Sequence, residues 1–534
     1  MPSTQAGPGT NRSVPEAGLE NAGEELFRAR IERRFRINSA LIVAARAVTG
    51  GLSLATIPIV VSRVGVAGYG TWEALLAVAS LAALAQTAIG GTLVWRISDA
   101  FGRNDDAEIR RLVRLGAGAS LALFVLLWPL AWFARDPLVE LLRVPAEARQ
   151  TAAQMFPVVA AVVLLGGLSD TLEAVVSGCQ RTGFVNVVGA AAHSLNYSVV
   201  ILVMLLGGGL WSLVAGLAIG GISRLAGSWL AARLSFGAVS LIPAMPNRAD
   251  LSTARYSGLL AVGAGAAVLR DQTDKVILAT LASAAWVGYY GMAARLSGVV
   301  MEIIRFFYLP IVTAVGALNA AGDWEAVRRL YSRVMATVSL VTGLVLVVVA
   351  GLPDRIVVLW IGRPIPEVTL LLWLLIAGSA SAATLTGPGT AVCRGAGRAG
   401  IETAYLALNL VLNLGLTVIL VLLIGPIGTA VATGSTWAVS SVVFLFVLHG
   451  RLDLPVRASR RAGARVALAA AAAAVLYATS RLLSLPDGRH EALQSIALLG
   501  AAGGVVYLGL LVVFRLMPVS NVYGDVRALL RRAG

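Results

Sequence analysis

Long apolar segments recur along the whole chain, and they constrain its fold more than any other feature. The runs lie near residues 37–62, 69–95, 113–134, 150–178, 184–206, 210–232, 256–282, 286–316, 334–352, 367–392, 400–424, 426–448, 465–484 and 494–514. A helix of roughly 20 residues crosses the hydrocarbon core of a bilayer. Membrane strands would alternate polar and apolar residues, and these runs do not. The sequence therefore predicts an all-α integral membrane protein with about 14 transmembrane helices.

The composition excludes most soluble classes of protein. Of the 534 residues, 57% are hydrophobic and 13% are charged, whereas roughly a quarter are charged in a soluble domain. The net charge of +15 is dispersed between apolar runs, so we expect no nucleic-acid partner. Two cysteines form no disulfide framework, and three distant histidines show no metal-ligand spacing. The single lysine, Lys275, lies outside any Walker A pattern. We expect neither a metal nor a cofactor.

Arginine is distributed unevenly over the segments between the apolar runs. If the N-terminus is cytoplasmic, the cytoplasmic segments hold 29 arginines and the opposite segments hold 8. Loops rich in arginine stay on the cytoplasmic side of the membrane. The count therefore predicts 14 spans in the cell inner (cytoplasmic) membrane, with both termini in the cytoplasm.

The chain also repeats itself at a separation of about 218 residues. The matched pairs are Asp105–Leu112 with Asp323–Leu330, Gly68-Tyr69 with Gly288-Tyr289, Cys179 with Cys393, and Asn196 with Asn413. Six predicted spans separate the two copies, so both copies cross the membrane in the same direction. Parallel repeats of this kind are related by an axis along the membrane normal. We therefore predict two pseudo-symmetric six-helix lobes around a central cavity, plus two C-terminal helices.

This repeat divides the chain into seven segments. They are a disordered cytoplasmic tail (1–36), an N-lobe of spans 1–6 (37–235), a cytoplasmic linker (236–255), a C-lobe of spans 7–12 (256–449), a basic cytoplasmic loop (450–464), spans 13 and 14 (465–514) and a cytoplasmic tail (515–534). Two such lobes are the usual build of a transporter whose substrate binds between them, near the membrane midplane.

Several motifs resemble those of a known family. They are Gly65-x-x-x-Tyr69-Gly70-x-Trp72, Asp274-Lys275 with Val287-Gly288-Tyr289-Tyr290, and Asn409-x-x-x-Asn413 with Gly425-x-x-Gly428. Together they resemble the polysaccharide (O-antigen-type) flippase and exporter branch of the multidrug/oligosaccharidyl-lipid/polysaccharide exporter superfamily. The resemblance covers about residues 37–450. It implies two six-helix bundles and movement of a polyprenyl-diphosphate-linked oligosaccharide to the outer leaflet for cell-surface polysaccharide synthesis.

Charged residues inside the predicted spans are candidates for the substrate site, because each costs roughly 2.5–3.5 kcal/mol at a helix centre. The candidates are Arg46, Arg270, Asp271, Asp274, Lys275 and Arg295. Arg270 and Asp274 are i,i+4 neighbours in span 7, and the same spacing joins Asp271 and Lys275. These four residues either form two internal salt bridges or line the cavity with cations available to a diphosphate.

Other polar residues carry weaker expectations. Arg46 has no acid three or four residues away, so it should contact the ligand or pair with an acid of another helix. Glu302 and Arg305 could neutralise each other at i,i+3. Three asparagines, Asn196, Asn409 and Asn413, could bind sugar hydroxyls, but such residues more often hold helices together. We interpret the cluster of Arg457, Arg460, Arg461 and Arg465 as an anchor of the topology.

The sequence leaves three functions open. The first is transport of a lipid-linked oligosaccharide, with membrane lipids, glycosyltransferases and a polymerase of the same pathway as partners. An alternative is a cation-coupled multidrug exporter, which would favour an acidic cavity over intramembrane arginines. A membrane glycosyltransferase or polymerase would need a sizeable outer loop, and the longest predicted one is 135–149. We therefore expect a transporter and not an enzyme.

The topology can be tested directly. We expect both termini, the 96–114 loop and the 317–333 loop to face the cytoplasm, because these segments carry the arginine excess. Reporter fusions at each position should give the cytoplasmic signal. A C-terminal fusion that reports an outside location contradicts the prediction, since it requires an odd number of spans.

Overall fold

The structure is a computed structural model that describes residues 16–237, 239–244, 265–266, 268–308 and 311–516; the side chains of 16–47, 87, 88 and 306 are outside the description. The described residues contain helices and no strand. The helices are α1 (Glu16–Ala82), α2 (Leu84–Gly102), α3 (Asp106–Phe133), α4 (Arg135–Leu141), α5 (Ala146–Gly178), α6 (Thr182–Leu205), α7 (Trp211–Phe236), α8 (268–281), α9 (Ala284–Tyr308), α10 (Ile311–Ala320), α11 (Trp324–Gly351), α12 (Pro353–Ile361), α13 (Pro366–Leu385), α14 (Gly387–Gly395), α15 (Ala399–Ile424), α16 (Ile427–Leu452), α17 (Val456–Ser480) and α18 (Arg489–Val513).

The prediction of an all-α, multi-span membrane protein is confirmed. Within the described residues, 11 helices are long and apolar enough to cross a membrane. Of the 14 predicted spans, spans 2, 7 and 8 do not correspond to one of these 11 helices. Span 2 is divided between the end of α1 and α2, span 7 lies partly outside the described residues, and span 8 is divided between α9 and α10. The number 14 remains a prediction.

Two segments predicted to be irregular contain helix. The helix α1 begins at Glu16, so residues 16–36 of the predicted disordered tail are helical. Residues 16–36 contain no proline and are rich in Glu and Arg, which favour helices. The predicted basic loop 450–464 shortens to residues 453–455, because α16 ends at Leu452 and α17 begins at Val456. Most of the linker 236–255 and of the tail 515–534 lies outside the described residues.

Local backbone geometry recurs at the separation found in the sequence. Residues with positive φ occur as the pairs Asn104 and Gly322, Arg143 and Gly362, Gln180 and Gly397, Gly207 and Gly425, and Gly237 and Asp453. Each pair is 216 to 219 residues apart. The helices α3 and α11 both have 28 residues and both begin after an aspartate N-cap, Asp105 or Asp323. The chain therefore turns in the same places in its N-terminal half (α1–α7) and its C-terminal half (α8–α16).

Glycines allow the two halves to approach closely. Gly65 interrupts α1 with a φ of 72°, a conformation that favours glycine, in place of the loop predicted at 63–68. Beyond this break, α1 crosses α9 so closely that a Cβ atom on Gly70 would lie 1.7 Å from the carbonyl oxygen of Ala284. A Cβ atom on Gly288 would lie 2.4 Å from the carbonyl oxygen of Val66. The backbones of the two halves are therefore in direct contact where α1 crosses α9.

Contacts between connecting segments follow the arginine count. On the arginine-rich side, Arg114 Nε donates to the carbonyl of Ile242 at 3.1 Å, and Arg181 donates to the carbonyl of Leu234 at 2.7 Å. On the opposite side, Arg481 pairs with Asp354 at 3.3 Å, and Arg489 donates to the carbonyl of Trp360 at 3.4 Å. Each contact joins two segments that the count places on the same side of the membrane.

The close crossing predicts opposite effects for two alanine substitutions. Gly70→Ala should lower the apparent Tm of the purified protein, because the new Cβ atom overlaps Ala284. Gly91→Ala in α2 is the matched control, since nothing lies within 4 Å of its added Cβ atom. Alanine is about 1 kcal/mol better than glycine inside a helix, so this control should keep or raise the Tm. Equal Tm values for the two variants would contradict the crossing.

Candidate functional site

A cavity of about 520 Å³ lies between the two halves. Its walls come from α1, α6 and α7 on one side and from α8, α9, α13 and α16 on the other. The charged lining residues are Glu73, Arg270, Asp271, Lys275, Arg295, Glu302 and Arg305. About half of the remaining lining residues carry hydroxyl, amide or aromatic groups, and the others are aliphatic residues, Met301 or glycine. The cavity therefore has a mixed polar and apolar wall that contains seven charged residues.

The structure brings together four of the six residues predicted to bind substrate. Arg270, Asp271, Lys275 and Arg295 all line the cavity. Asp274 is not among the lining residues and is 1% exposed, because it faces α15 and α16. The sixth residue, Arg46, lies in α1, and its side chain is outside the described residues.

Of the two alternatives left open for span 7, the i,i+4 ion pairs Arg270–Asp274 and Asp271–Lys275 do not form among the described residues. Arg270 donates to the carboxylate of its neighbour Asp271 at 2.7 Å, and its Nη1 donates to Asn409 Oδ1 at 3.2 Å. Its guanidinium also lies over the ring of Trp437, 4.6 Å from the centroid. Asp274 faces other helices that offer three hydroxyl donors, so it does not meet Arg270. The i,i+4 spacing permits an ion pair within one helix, but it does not determine whether a side chain pairs within its helix or with a residue of another helix.

Lys275 instead forms a salt bridge between the two halves. Its Nζ lies 2.7 Å from Glu73 Oε2, which belongs to α1. The two side chains are 17% and 14% exposed, so water screens this pair only weakly. Glu73 is therefore a residue of the site that the sequence analysis did not select. A signal was present, because Glu73, like Arg46, has no residue of opposite charge three or four positions away.

Arg295 is the cavity cation that forms no salt bridge with any carboxylate in the described part of the chain. Its Nη2 donates to the hydroxyl of Tyr197 at 2.9 Å and to the hydroxyl of Ser53. The positive charge of Arg295 also interacts electrostatically with Glu73, but the salt bridge of Glu73 is with Lys275. Arg295 thus places an uncompensated guanidinium at the boundary between the halves, since Ser53 and Tyr197 belong to α1 and α6.

Asp274 is the centre of a buried group of oxygen atoms. It accepts hydrogen bonds from Tyr290 at 2.8 Å, Thr433 at 2.8 Å and Thr417 at 3.1 Å. The neighbouring Asn413 donates to Thr433, and its own Oδ1 is buried without a hydrogen-bond partner among the described residues. Carboxylate, amide and hydroxyl oxygens of this kind could hold a small hard cation. No group of three or more His, Cys, Asp or Glu side chains suited to a metal occurs in the described ranges.

The expectations for the other polar residues are met in part. Asn409 Nδ2 donates to Ser440 at 2.9 Å, and Asn413 donates to Thr433 at 3.1 Å, so both hold α15 to α16 as predicted. Asn196 lines the cavity. Glu302 and Arg305 form the expected i,i+3 pair at 3.1 Å. Glu302 and Arg305 are 44% and 45% exposed, so this pair contributes little to stability.

The bridge between the halves can be tested with a double substitution. Lys275→Ala leaves the Glu73 carboxylate buried and unpaired, which should cost about 3–5 kcal/mol of stability. Adding Glu73→Gln removes the uncompensated charge and should restore most of the apparent Tm in detergent. Asp271→Asn is the comparison. If Lys275 paired with Asp271 four residues away, Asp271→Asn would be the substitution that restores the Tm of Lys275→Ala. If Asp271→Asn rescues Lys275→Ala and Glu73→Gln does not, the bridge assigned here is wrong.

Comparison with known proteins agrees with this architecture. The family model for polysaccharide biosynthesis proteins matches residues 111–365. No curated protein matches by sequence. The fold is similar to that of the lipid II flippase MurJ in an inward closed conformation, with a TM-score of 0.69 and 13% identity. That comparison covers 90% of this chain and 100% of the MurJ chain.

Multidrug transporters have a similar fold. An inward-facing multidrug resistance MATE family transporter of the MOP superfamily has a TM-score of 0.64 and 15% identity, covering 77% of this chain and 98% of its own. A mutant of the Vibrio cholerae MATE transporter VcmN has a TM-score of 0.52 and 13% identity, covering 78% and 98%. The family match confirms the resemblance to polysaccharide biosynthesis proteins, and the solved structures show that the fold is similar to those of MurJ and MATE transporters.

Proposed function

We propose that this protein moves a polyprenyl-diphosphate-linked oligosaccharide across the cytoplasmic membrane. In this proposal the chain has 14 spans arranged as two six-helix lobes with two further helices, and both termini are cytoplasmic. The match to polysaccharide biosynthesis proteins and the transporter fold support the pathway and the type of activity. The substrate would bind in the cavity between the lobes, where alternating access exposes it to each side in turn.

The single observation that carries the proposal is the uncompensated charge of Arg295. Arg295 is exposed to the cavity, and no carboxylate of the described residues forms a salt bridge with it, so its charge is available to attract an anion that enters the cavity. A guanidinium also presents a planar fork of donors that matches phosphate oxygens. The diphosphate group is the part of the proposed substrate that offers such oxygens. Arg295 would therefore contact the diphosphate, with Arg270 and Lys275 nearby on α8 and Arg46 contributing from α1.

The rest of the cavity wall suits a glycan better than an apolar drug. Hydroxyl groups of Ser53, Thr56 and Ser379 line the cavity and could exchange hydrogen bonds with sugar hydroxyls. The rings of Trp72 and Trp437 lie in the same wall and offer flat apolar surfaces to sugar rings. A volume of about 520 Å³ lies within the roughly 300–1,000 Å³ range of small-molecule sites, so it would hold the diphosphate and the first sugars.

Binding of an anion would also weaken the ties between the halves. The bridge from Lys275 to Glu73 and the hydrogen bonds of Arg295 to Ser53 and Tyr197 all cross this boundary. A diphosphate would compete with Glu73 for Lys275 and with the two hydroxyls for Arg295. Contacts with the substrate would thus replace the contacts that Lys275 and Arg295 make across the boundary. The halves could then rearrange without leaving these charges unpaired.

The cavity supports the alternatives less well. Four cations and three acids line it among the described residues, so its formal charge is +1 and favours an anion over a cationic drug. We propose a transporter without catalytic activity, since the similar structures are transporters. Glycosyltransferases and a polymerase of the same pathway would supply and consume the lipid-linked oligosaccharide.

Deleting the gene and complementing it with variants tests the proposal. The deletion strain should accumulate a lipid-linked oligosaccharide in solvent extracts and lose surface polysaccharide. Arg295→Ala should fail to restore transport at a normal protein level, and Arg295→Lys should restore part of it. Arg46→Ala should also reduce transport strongly.

Arg305→Ala is the matched control, because Arg305 lines the same cavity but pairs with Glu302. It should retain most of the transport. An Arg295→Ala variant that transports normally would remove Arg295 as the phosphate contact. A deletion that leaves surface polysaccharide intact and raises sensitivity to cationic drugs would support the multidrug exporter instead.

A further inference from the structure

Five arginines lie at the arginine-rich ends of α17 and α18, and none of them lines the cavity. They are Arg457, Arg460, Arg461 and Arg465 on α17 and Arg515 just after α18. Arg457, Arg461 and Arg465 are spaced by four residues, so they follow one face of the helix at intervals of about 6 Å. From the sequence, the four arginines of α17 are interpreted only as a topology anchor. The structure shows that one of them is built into the fold.

Arg465 is held in place by two other parts of the chain. Its Nη1 donates to the carbonyl of Ala336 at 3.3 Å and to Ser339 Oγ at 3.0 Å, both on α11. Its Nη2 donates to the carbonyl of Leu516 at 2.8 Å. Arg515 adopts a φ of 55° immediately before Leu516, at the turn that ends α18. Three of the five N–H donors of the guanidinium are thus occupied, and two have no acceptor among the described residues.

No carboxylate compensates these charges in the part of the chain that the structure describes. None of the five arginines forms a salt bridge there, whereas arginines elsewhere on this side do. Arg96 and Arg111 share Glu108 at 2.7 and 3.1 Å, and Arg394 pairs with Glu402. The cluster therefore carries a formal charge of +5 at the ends of these helices, with one guanidinium fixed and half-buried.

We propose that this cluster binds the phosphate headgroup of an anionic phospholipid. Guanidinium groups at the ends of membrane helices match phospholipid phosphates in charge and in geometry. Exposed apolar side chains lie beside the cluster, with Val513 73% and Phe514 61% exposed at the end of α18. They offer a surface to acyl chains directly next to Arg515. This combination favours a lipid over a free phosphate ion, which has no apolar part.

The site would hold the C-terminal helices on the C-terminal half. Arg465 already joins α17 to α11 and to the residues after α18, and a bound headgroup would neutralise the charge at that junction. No residue of the cluster lines the cavity, so lipid binding at this cluster would not require the proposed substrate.

Lipid binding by the purified full-length protein tests the proposal. The probe is phosphatidylglycerol, compared with phosphatidylcholine, and the readouts are lipids retained in native mass spectrometry and the apparent affinity from thermal shift. Phosphatidylglycerol should be retained and should raise the Tm, and phosphatidylcholine should do neither. The variant Arg461→Gln/Arg515→Gln should weaken this binding by about tenfold or more. Both side chains are exposed, so the fold should persist without them.

The matched control removes the same charge elsewhere on the arginine-rich side. Arg103→Gln/Arg110→Gln should keep the affinity for phosphatidylglycerol within about twofold. Equal losses in the two double variants would mean only a diffuse surface charge and would overturn the site. Equal retention of the two lipids by the unchanged protein would overturn it as well. Inorganic phosphate or pyrophosphate at millimolar concentration should not displace the lipid or raise the Tm by itself. If either does both, the cluster binds a soluble phosphate and the lipid site is overturned.

Discussion

The structure depends on one constraint, which is that charges in a low-dielectric interior must be compensated. The bridge from Lys275 to Glu73 meets this constraint across the two halves, with an N–O distance of 2.7 Å. Within the N-terminal half, Arg224 meets it by contacting Asp170 and Glu173 at 2.6 and 2.8 Å. Each such pair fixes the relative rotation of the helices that carry it. Charges that would oppose membrane insertion singly thus become the contacts that join helices.

Arg295 is the exception, and it gives the cavity its chemical character. It has hydroxyl partners but no salt bridge within the described residues. In the proposed function, a cavity cation without an internal salt bridge is the group that attracts the diphosphate. The hydroxyls of Ser53 and Tyr197 would accept hydrogen bonds from the guanidinium again when the ligand leaves. The charge balance of the cavity would in this way link stability to transport.

Glycines in the motifs have physical roles that explain their positions. Gly65 breaks α1, and Gly70 and Gly288 let two backbones touch between the halves. Gly425 has a φ of 77° at the end of α15, and a Cβ atom on Gly428 would lie 2.3 Å from the carbonyl carbon of Leu420. Each position excludes a side chain through backbone conformation or through space. The motifs therefore encode geometry, while the charged residues around them supply the chemistry.

The sequence alone determined the membrane class, most spans and the repeat, because hydropathy and turn residues are local properties. It also selected Arg270, Lys275 and Arg295, since a charge inside an apolar run stands out whatever it contacts. Only the tertiary structure decided which acid meets which base. Lys275 pairs with Glu73, 202 residues away, and not with Asp271 four residues away. The physical reason is that the partner of a side chain depends on how helices rotate and cross, and that is set by packing over the whole molecule.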